Sequence, residues 1–258
     1  MNGEFEWNEI AFDVAKDVEK VVMPIFGTPK AGENIGKNVS GDVTKYVDKV
    51  AENLVIERLK PLGINIVSEE IGNIDVGSDY TAVIDPIDGS YNFAAGIPIF
   101  AFSLAVFKKK APVYGAIYEF VTGNFYEGIP GEGAFMNGRP IHVKKVEHGK
   151  EAISFYTRGR CTGLIKKVKR VRVLGAIAVE LTYLAKGALD GVLDIRNYVR
   201  TTDIAAGVVI AKEAGAMVTD ERGKELRLNL NATDQTNIIA VNDSRLLDMI
   251  LREIGRGE

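Results

Sequence analysis

The chain has 258 residues, 46% hydrophobic and 26% charged, with a formal net charge of −3 and a pI near 5.6. This is ordinary globular composition, and it excludes a global electrostatic drive toward nucleic acid or anionic membrane. The single cysteine, Cys161, excludes an internal disulfide and a zinc site built on thiolates.

A reducing, cytoplasmic setting is expected. The Met1 to Glu9 segment is acidic and polar, unlike a signal peptide. No apolar run approaches the roughly 18 residues that span a bilayer. A lone glutamine, Gln235, among many Lys and Glu residues hints at a thermophilic source.

Trp7 to Met23 carries Ile10, Val14, Val18, Val21 and Val22 at helical spacing, and Pro24 ends the run. Gly27 to Asp42 is rich in Gly, Lys and Asn and reads as a mobile loop. A second amphipathic helix carries Val47, Val50, Ala51, Leu54 and Leu59, and Pro61 stops it. The period then changes. Ile64 to Ser68 and Tyr80 to Asp85 are short apolar runs ending in acidic or small polar residues, as buried strands do. Phe100–Phe107, Pro112–Glu119, Asn124–Glu127 and Ala134–Val143 follow as strands, with Asn137-Gly138 in a hairpin turn. The second half alternates. Strands are expected at Ile153–Tyr156, Val171–Leu174, Gly191–Ile195 and Asn237–Val241. Helices are expected near Leu164, over Ala178–Lys186 and Ile204–Ala214, and after Asn242. Helix pairs, then a strand meander, then alternating elements predict a layered α/β sandwich of the α+β type.

The most informative stretch is Tyr80-Thr-Ala-Val-Ile-Asp85-Pro-Ile-Asp88-Gly89-Ser90. An apolar strand delivers Asp85, Pro86 is expected to stop its ladder, and Asp88 follows. A carboxylate at the edge of a core is costly unless paired, and no Lys or Arg lies within the segment. A hard divalent cation with all-oxygen ligands would resolve this. A helix starting after Gly89-Ser90 would add backbone N–H groups for a phosphate. Taken alone, the same stretch is equally a polar turn after a strand. Ser68-Glu69-Glu70 alone is a solvated turn, and Asp203, in Thr201-Thr-Asp203-Ile-Ala-Ala-Gly, is an ordinary N-cap.

Together and in this order, these segments resemble the inositol monophosphatase family, which includes the archaeal-type fructose-1,6-bisphosphatases. Asp85-Pro-Ile-Asp88-Gly-Ser90 is similar to its first signature. Asp203-Ile-Ala-Ala-Gly followed by Lys212-Glu-Ala-Gly215-Ala is similar to its second. Ser68-Glu69-Glu70 matches the acidic pair, and Gly41-Asp42-Val-Thr44-Lys-Tyr-Val-Asp48 the loop-and-helix segment. The resemblance implies an αβαβα sandwich in one catalytic unit over 1–258. Its half 1–150 would carry the metal and phosphate motifs, and 151–258 the sugar side. It implies two to three Mg2+ ions, with Mn2+ as a substitute. Glu69, Asp85 and the Ile87 carbonyl would hold the first, and Asp85, Asp88 and Asp203 the second. Gly89 and Ser90 would bind phosphate through backbone N–H groups. The Ser90 hydroxyl and Glu69 would orient an attacking water, with Asp48 nearby. The family usually has Thr at position 90 and often Trp at position 202.

Seven residues before Asp203, relatives specific for inositol phosphate carry Glu; here it is Arg196. A guanidinium favours an anionic or polyhydroxyl partner, as in the dual-activity members. Fructose-1,6-bisphosphate is therefore the leading substrate, with inositol-1-phosphate also accepted. Arg172, Tyr156 and Arg158 fall in segments that border the sugar in relatives, and Gly175, Ala176 and Ile177 would line its pocket. A homodimer is expected, with exposed strands between 100 and 143 as its interface. Rival expectations are an aspartyl-nucleophile phosphatase of the haloacid dehalogenase type, a bisphosphate nucleotidase of the same family, and a non-catalytic regulatory protein. The first needs two aspartates separated by one residue, whereas two separate Asp85 from Asp88.

Overall fold

The structure is a computed structural model and describes residues 5–255. The first four residues of the acidic N-terminal segment lie outside the described residues. Helices α1 (Trp7–Val22) and α2 (Tyr46–Leu59) form the first layer. Their buried faces, with Val14, Val18, Val55 and Leu59, pack on one side of an eight-stranded sheet. That sheet comprises β3 (Asn65–Ser68), β4 (Gly72–Ile74), β5 (Tyr80–Asp88), β6 (Ala101–Lys108), β7 (Ala111–Glu119), β8 (Asn124–Ile129), β9 (Gly133–Met136) and β10 (Arg139–Ile141). Its order is β10-β9-β8-β7-β6-β5-β3-β4, antiparallel except for the β3–β5 pair. A short helix, α3 (Ser90–Ala95), follows β5.

The third layer is α4 (Ile177–Ala185) and α5 (Thr201–Glu213), packed on each other and covered on both sides. A five-stranded sheet follows, ordered β12-β11-β13-β15-β14. Its strands are β11 (Ala152–Tyr156), β12 (Arg170–Arg172), β13 (Gly191–Arg200), β14 (Met217–Thr219) and β15 (Gln235–Val241). Helix α6 (Ser244–Ile254) closes the outer face, its first turn capped by the Asp243 side chain. Four apolar interfaces separate five layers, so the expected αβαβα sandwich is what the sequence folds into. Among the described residues no helix is long and apolar enough to cross a membrane.

Helix α5 holds Asp203 and lies unusually close to the large sheet. A Cβ at Gly128 would fall 2.7 Å from the Ile210 Cα, so only glycine permits this approach of strand and helix backbones. Asn137 and Gly138 both have positive φ, 51° and 73°, as a two-residue hairpin turn requires.

The structure corrects several expectations. Gly27–Asp42 is not a structureless loop. After a 3-10 turn at Met23–Ile25 it contains β1 (Asn34–Lys37), paired antiparallel with β2 (Val43–Lys45). Every residue of β1 is exposed, so no apolar alternation marks it. Pro86 does not end β5. The strand continues to Asp88 through a register shift against β6 between Asp85 and Asp88, the bulge that a missing N–H imposes. Strand β13 likewise runs past Ile195 to Arg200, through an irregularity at the polar residues between Asp194 and Val199. Strands β6, β7 and β8 are largely buried between helical layers, and within 100–143 the strands β9 and β10 are more exposed.

Candidate metal and phosphate site

Three carboxylates from three separate elements meet at one point. Glu69 follows β3, Asp85 lies at the β5 bulge and Asp203 in the first turn of α5. One oxygen from each lies within 4.8 Å of the others. Asp88 leaves the same bulge, and its Oδ2 accepts hydrogen bonds from the Ala178 and Val179 N–H groups (3.0 and 3.3 Å) at the start of α4. Asp203 is not the N-cap that its context suggests. It sits in the third helical position and reaches back to the Arg200 N–H at 2.8 Å. Asp48 does the same on α2, accepting from the Lys45 N–H at 3.2 Å. The Ile87 N–H donates to Asp85 Oδ1 (3.0 Å), which holds the bulge closed around the carboxylate.

The electrostatics record the crowding. Burial pushes the Asp203 carboxyl up to about 7, and the charge of Glu69 adds to it. Asp85 and Asp88 are also pushed well above the usual carboxylate range, chiefly by burial. Glu69 is then the main electrostatic neighbour of Asp85, and Asp203 that of Asp88. Asp48 is raised to about 6 by burial, against the lowering effect of Lys45. Such a cluster is unfavourable without a cation. Its donor set is oxygen throughout, which suits a hard divalent ion.

Gly89, at φ 84°, turns the chain into α3 directly after Asp88. A Cβ there would lie 2.9 Å from Ala176 Cβ and 3.0 Å from the Ile99 carbonyl oxygen. Glycine therefore lets this turn nest against the Gly175–Ala176 segment. Asn92 fastens the two, donating to the Leu174 and Ile99 carbonyls at 2.7 and 2.8 Å. Ser90 opens α3, and its hydroxyl accepts from Lys45 Nζ at 2.9 Å.

The expected sugar-side residues divide. The Tyr156 hydroxyl is engaged inside the protein. It donates to Glu180 Oε1 (3.0 Å) and accepts from the Gly175 N–H (2.8 Å). Ala176 and Ile177 have buried side chains belonging to the core. Gly175 beside them is exposed. Arg196 is forked onto buried Asp194, with Nε and Nη2 contacts of 3.0 and 2.5 Å. Its guanidinium lies over the Tyr156 and Tyr198 rings at 4.6 and 5.2 Å. Arg158 lies over the other rim residue, Tyr198, at 5.1 Å. Arg172 is exposed, and its Nη1 donates to the Val171 carbonyl.

Three residues escape the sequence reading. Arg200, only 3% exposed, contacts Glu69 Oε1 at 2.6 Å and also pairs with Asp42 beside the β1–β2 hairpin. Its place three residues before Asp203 was the only signal. Lys45 touches Ser90 from a position inside the quoted loop-and-helix motif. Glu52 is fully buried on α2. Its Oε1 accepts from the Glu70 and Ile71 N–H groups (3.2 and 3.0 Å) and from the Ser68 hydroxyl. It thus shapes the turn that presents Glu69. Its position on a helix carries no sequence signal of that role.

Removing that acceptor orphans two N–H groups and a hydroxyl, each costing about 1–3 kcal/mol when left buried. Glu52→Ala is expected to weaken divalent-cation binding about tenfold or more and to lower the melting temperature. Glu52→Gln, which retains an accepting oxygen, should change both much less. Calorimetric cation titration and thermal melting compare the two; equal behaviour would show that Glu52 does not shape the Glu69 turn.

Comparison with known proteins agrees with this architecture. The model of the inositol monophosphatase family matches residues 5–256. The chain is 68% identical over 248 residues to a fructose-1,6-bisphosphatase/inositol-1-monophosphatase of Thermococcus kodakarensis, covering 96% of this chain and 97% of that one. It is 49% identical over 248 residues to a protein of the same name from Methanocaldococcus jannaschii, covering 95% and 98%. Among solved structures, a hypothetical protein of Pyrococcus horikoshii with similarities to inositol-1 monophosphatase superposes with a TM-score of 0.91. It is 57% identical, with 96% and 98% of the two chains covered. A family model spanning nearly the whole chain, relatives of this identity and the convergence of the Glu69, Asp85 and Asp203 carboxylates have one meaning: the chain belongs to the inositol monophosphatase family.

Proposed function

We propose that the protein is a magnesium-dependent phosphatase that hydrolyses fructose-1,6-bisphosphate and inositol-1-phosphate. The observation that carries this reading is the meeting of Glu69, Asp85 and Asp203 beside the Gly89-Ser90 turn. The names of the most similar relatives support the two substrates. Glu69, Asp85 and the Ile87 carbonyl would hold one ion, and Asp85, Asp88 and Asp203 a second. A third would sit near Glu69, and Mn2+ could substitute for Mg2+. Bound there, such ions supply Lewis acidity and make water a better nucleophile near neutral pH.

The chain's own groups do the rest. The Gly89 and Ser90 N–H groups hold the phosphate. Ser90, with Asp48 nearby, would accept a hydrogen bond from the attacking water. The water oxygen bonds to phosphorus as the bond to the sugar oxygen breaks, releasing alcohol and inorganic phosphate. A homodimer, carried by family resemblance, belongs to the same proposal. Phosphate release from a panel of sugar, inositol and nucleotide phosphates, with magnesium and with a chelator, tests the reading. Turnover without any divalent ion, or of adenosine bisphosphate alone, would overturn it.

On the sugar side, Arg196 lies over Tyr156 and Tyr198 and Arg158 over Tyr198, and these cations, with Arg172, would hold the distal phosphate. Arg196→Glu would set a second carboxylate against buried Asp194, so Arg196→Gln is the cleaner probe. A hydrogen bond to a charged group contributes about 1.5–3 kcal/mol. The KM for fructose-1,6-bisphosphate should therefore rise about tenfold or more, while that for inositol-1-phosphate stays within about twofold. An unchanged ratio would remove Arg196 from substrate selection.

A further inference from the structure

We infer that Lys45 is a positioning residue of the catalytic site: its ammonium sets the direction of the Ser90 hydroxyl and so turns Ser90 into an acceptor for the attacking water. The inference rests on the water-attack reading above and adds to it a residue outside the carboxylate set.

Lys45 ends β2 and immediately precedes α2. Its Nζ lies 2.9 Å from Ser90 Oγ and 3.8 Å from Asp48 Oδ2, with its side chain 22% exposed and that of Asp48 12%. The backbone of the same residue donates to the same carboxylate. Lys45 is thus tied to both members of the Ser90–Asp48 pair, although they come from distant stretches of chain.

The consequence follows from counting protons. A serine hydroxyl has one proton to give and two lone pairs to receive with. An ammonium only donates, so one Ser90 lone pair is taken by Lys45. The Asp48 carboxylate is the other charged group beside Ser90, its Oδ2 3.8 Å from the same ammonium, and an ionised carboxylate only accepts, so the Ser90 proton is directed at Asp48. One lone pair remains, and a water reaching Ser90 must donate to it. That orientation turns the water's other face, with its own lone pair, away from Ser90 and free to attack. Without Lys45 the hydroxyl can rotate and offer its proton to the water, the wrong polarity for a nucleophile. Charge-assisted bonds are about twice as strong as neutral ones, so the ammonium holds this arrangement better than a neutral donor would. The hydrogen bond that closes α2's first turn comes from the Lys45 backbone N–H to Asp48, which any residue but proline supplies.

The test is a double-mutant cycle on the magnesium-loaded enzyme using Lys45→Met and Ser90→Ala, with fructose-1,6-bisphosphate as substrate. Lys45→Met keeps the length of the stem and removes the charge. It should lower kcat about 10- to 100-fold, as loss of a charge-assisted hydrogen bond does, with KM within about twofold. In the Ser90→Ala background the same change should cost less than about twofold. Lys45→Gln, which keeps a neutral donor, should fall between. Thermal melting and calorimetric binding of inorganic phosphate complete the experiment, and both should be close to the parent's. An equal loss of kcat in both backgrounds, or a tenfold loss of phosphate affinity with kcat unchanged, would show that Lys45 acts otherwise, and would overturn the inference. If Ser90→Ala alone retained full turnover, the water-attack reading itself would fail. Loss with Ser90→Ala but none with Lys45→Met would sink only the role of Lys45.

Discussion

Asp85→Asn is expected to lose about a thousandfold or more in turnover while the metal-free protein melts no lower than the parent. The two halves of this result have separate causes. Asp85 is 6% exposed and is one of the three carboxylates that share a point within 4.8 Å. Its charge is held there against burial and against Glu69, Asp88, Asp203 and Asp48. An amide of the same shape removes the repulsion and can still accept the Ile87 N–H through its oxygen. The fold therefore loses little and is relieved of a strained charge. The site loses an anionic ligand assigned to both ions, and losses of electrostatic stabilisation at a reacting phosphate run to hundreds- or thousandsfold. Phosphate release and thermal unfolding in chelator measure the two halves. A variant that melts far lower and is inactive for that reason would make Asp85 a structural residue. One that turns over normally would end the metal assignment.

The elements that bear these carboxylates were legible because burial wrote them into the sequence. The strands at 65–68 and 80–88 are apolar runs, so the acidic residues at their ends stand out. Helix α5 is equally plain, since its small and aliphatic residues fill the space between two sheets. What could not be read is long-range pairing. Arg200 meets Glu69 across 131 residues of chain, and Lys45 meets Ser90 across 45. No periodicity encodes such contacts. Glu52 looks like any helical surface charge until the turn after β3 folds onto it. The β1–β2 hairpin carries no apolar alternation, so its strands were hidden. Pro86 was misjudged for a related reason. Proline removes one ladder hydrogen bond, but β5 is flanked on both sides and continues around the gap as a bulge. That bulge aims Asp85 and Asp88, so the feature least visible in the sequence organises the site.

Magnesium is expected to raise the melting temperature, and to raise it more at pH 8 than at pH 5. In the metal-free fold Asp203 is raised to about 7 and Asp48 to about 6, and Asp85 and Asp88 are raised as well. In the unfolded chain the same groups titrate near 4. Between those limits the folded state holds more protons than the unfolded state. The linkage slope is then negative, so metal-free stability falls as pH rises from about 4 through 6 and 7, where Asp48 and Asp203 lose their protons. A cation needs the ionised carboxylates, so protons compete with it in that same window. At a free concentration 100 times the dissociation constant, binding to the folded state alone adds about 2.7 kcal/mol. That contribution should be nearly full at pH 8 and mostly lost at pH 5. Arg200 modifies the picture without reversing it. Its 2.6 Å contact with Glu69 gives the metal-free site one permanent cation, but its salt bridges among the described residues are to Glu69 and Asp42. Among the described residues no salt bridge reaches Asp85 or Asp88, so a bound cation has repulsion left to relieve there. Paired melts in magnesium and in chelator across this pH range decide the matter. A gap that is constant, or widest in acid, would mean that the carboxylates are not where the ion binds.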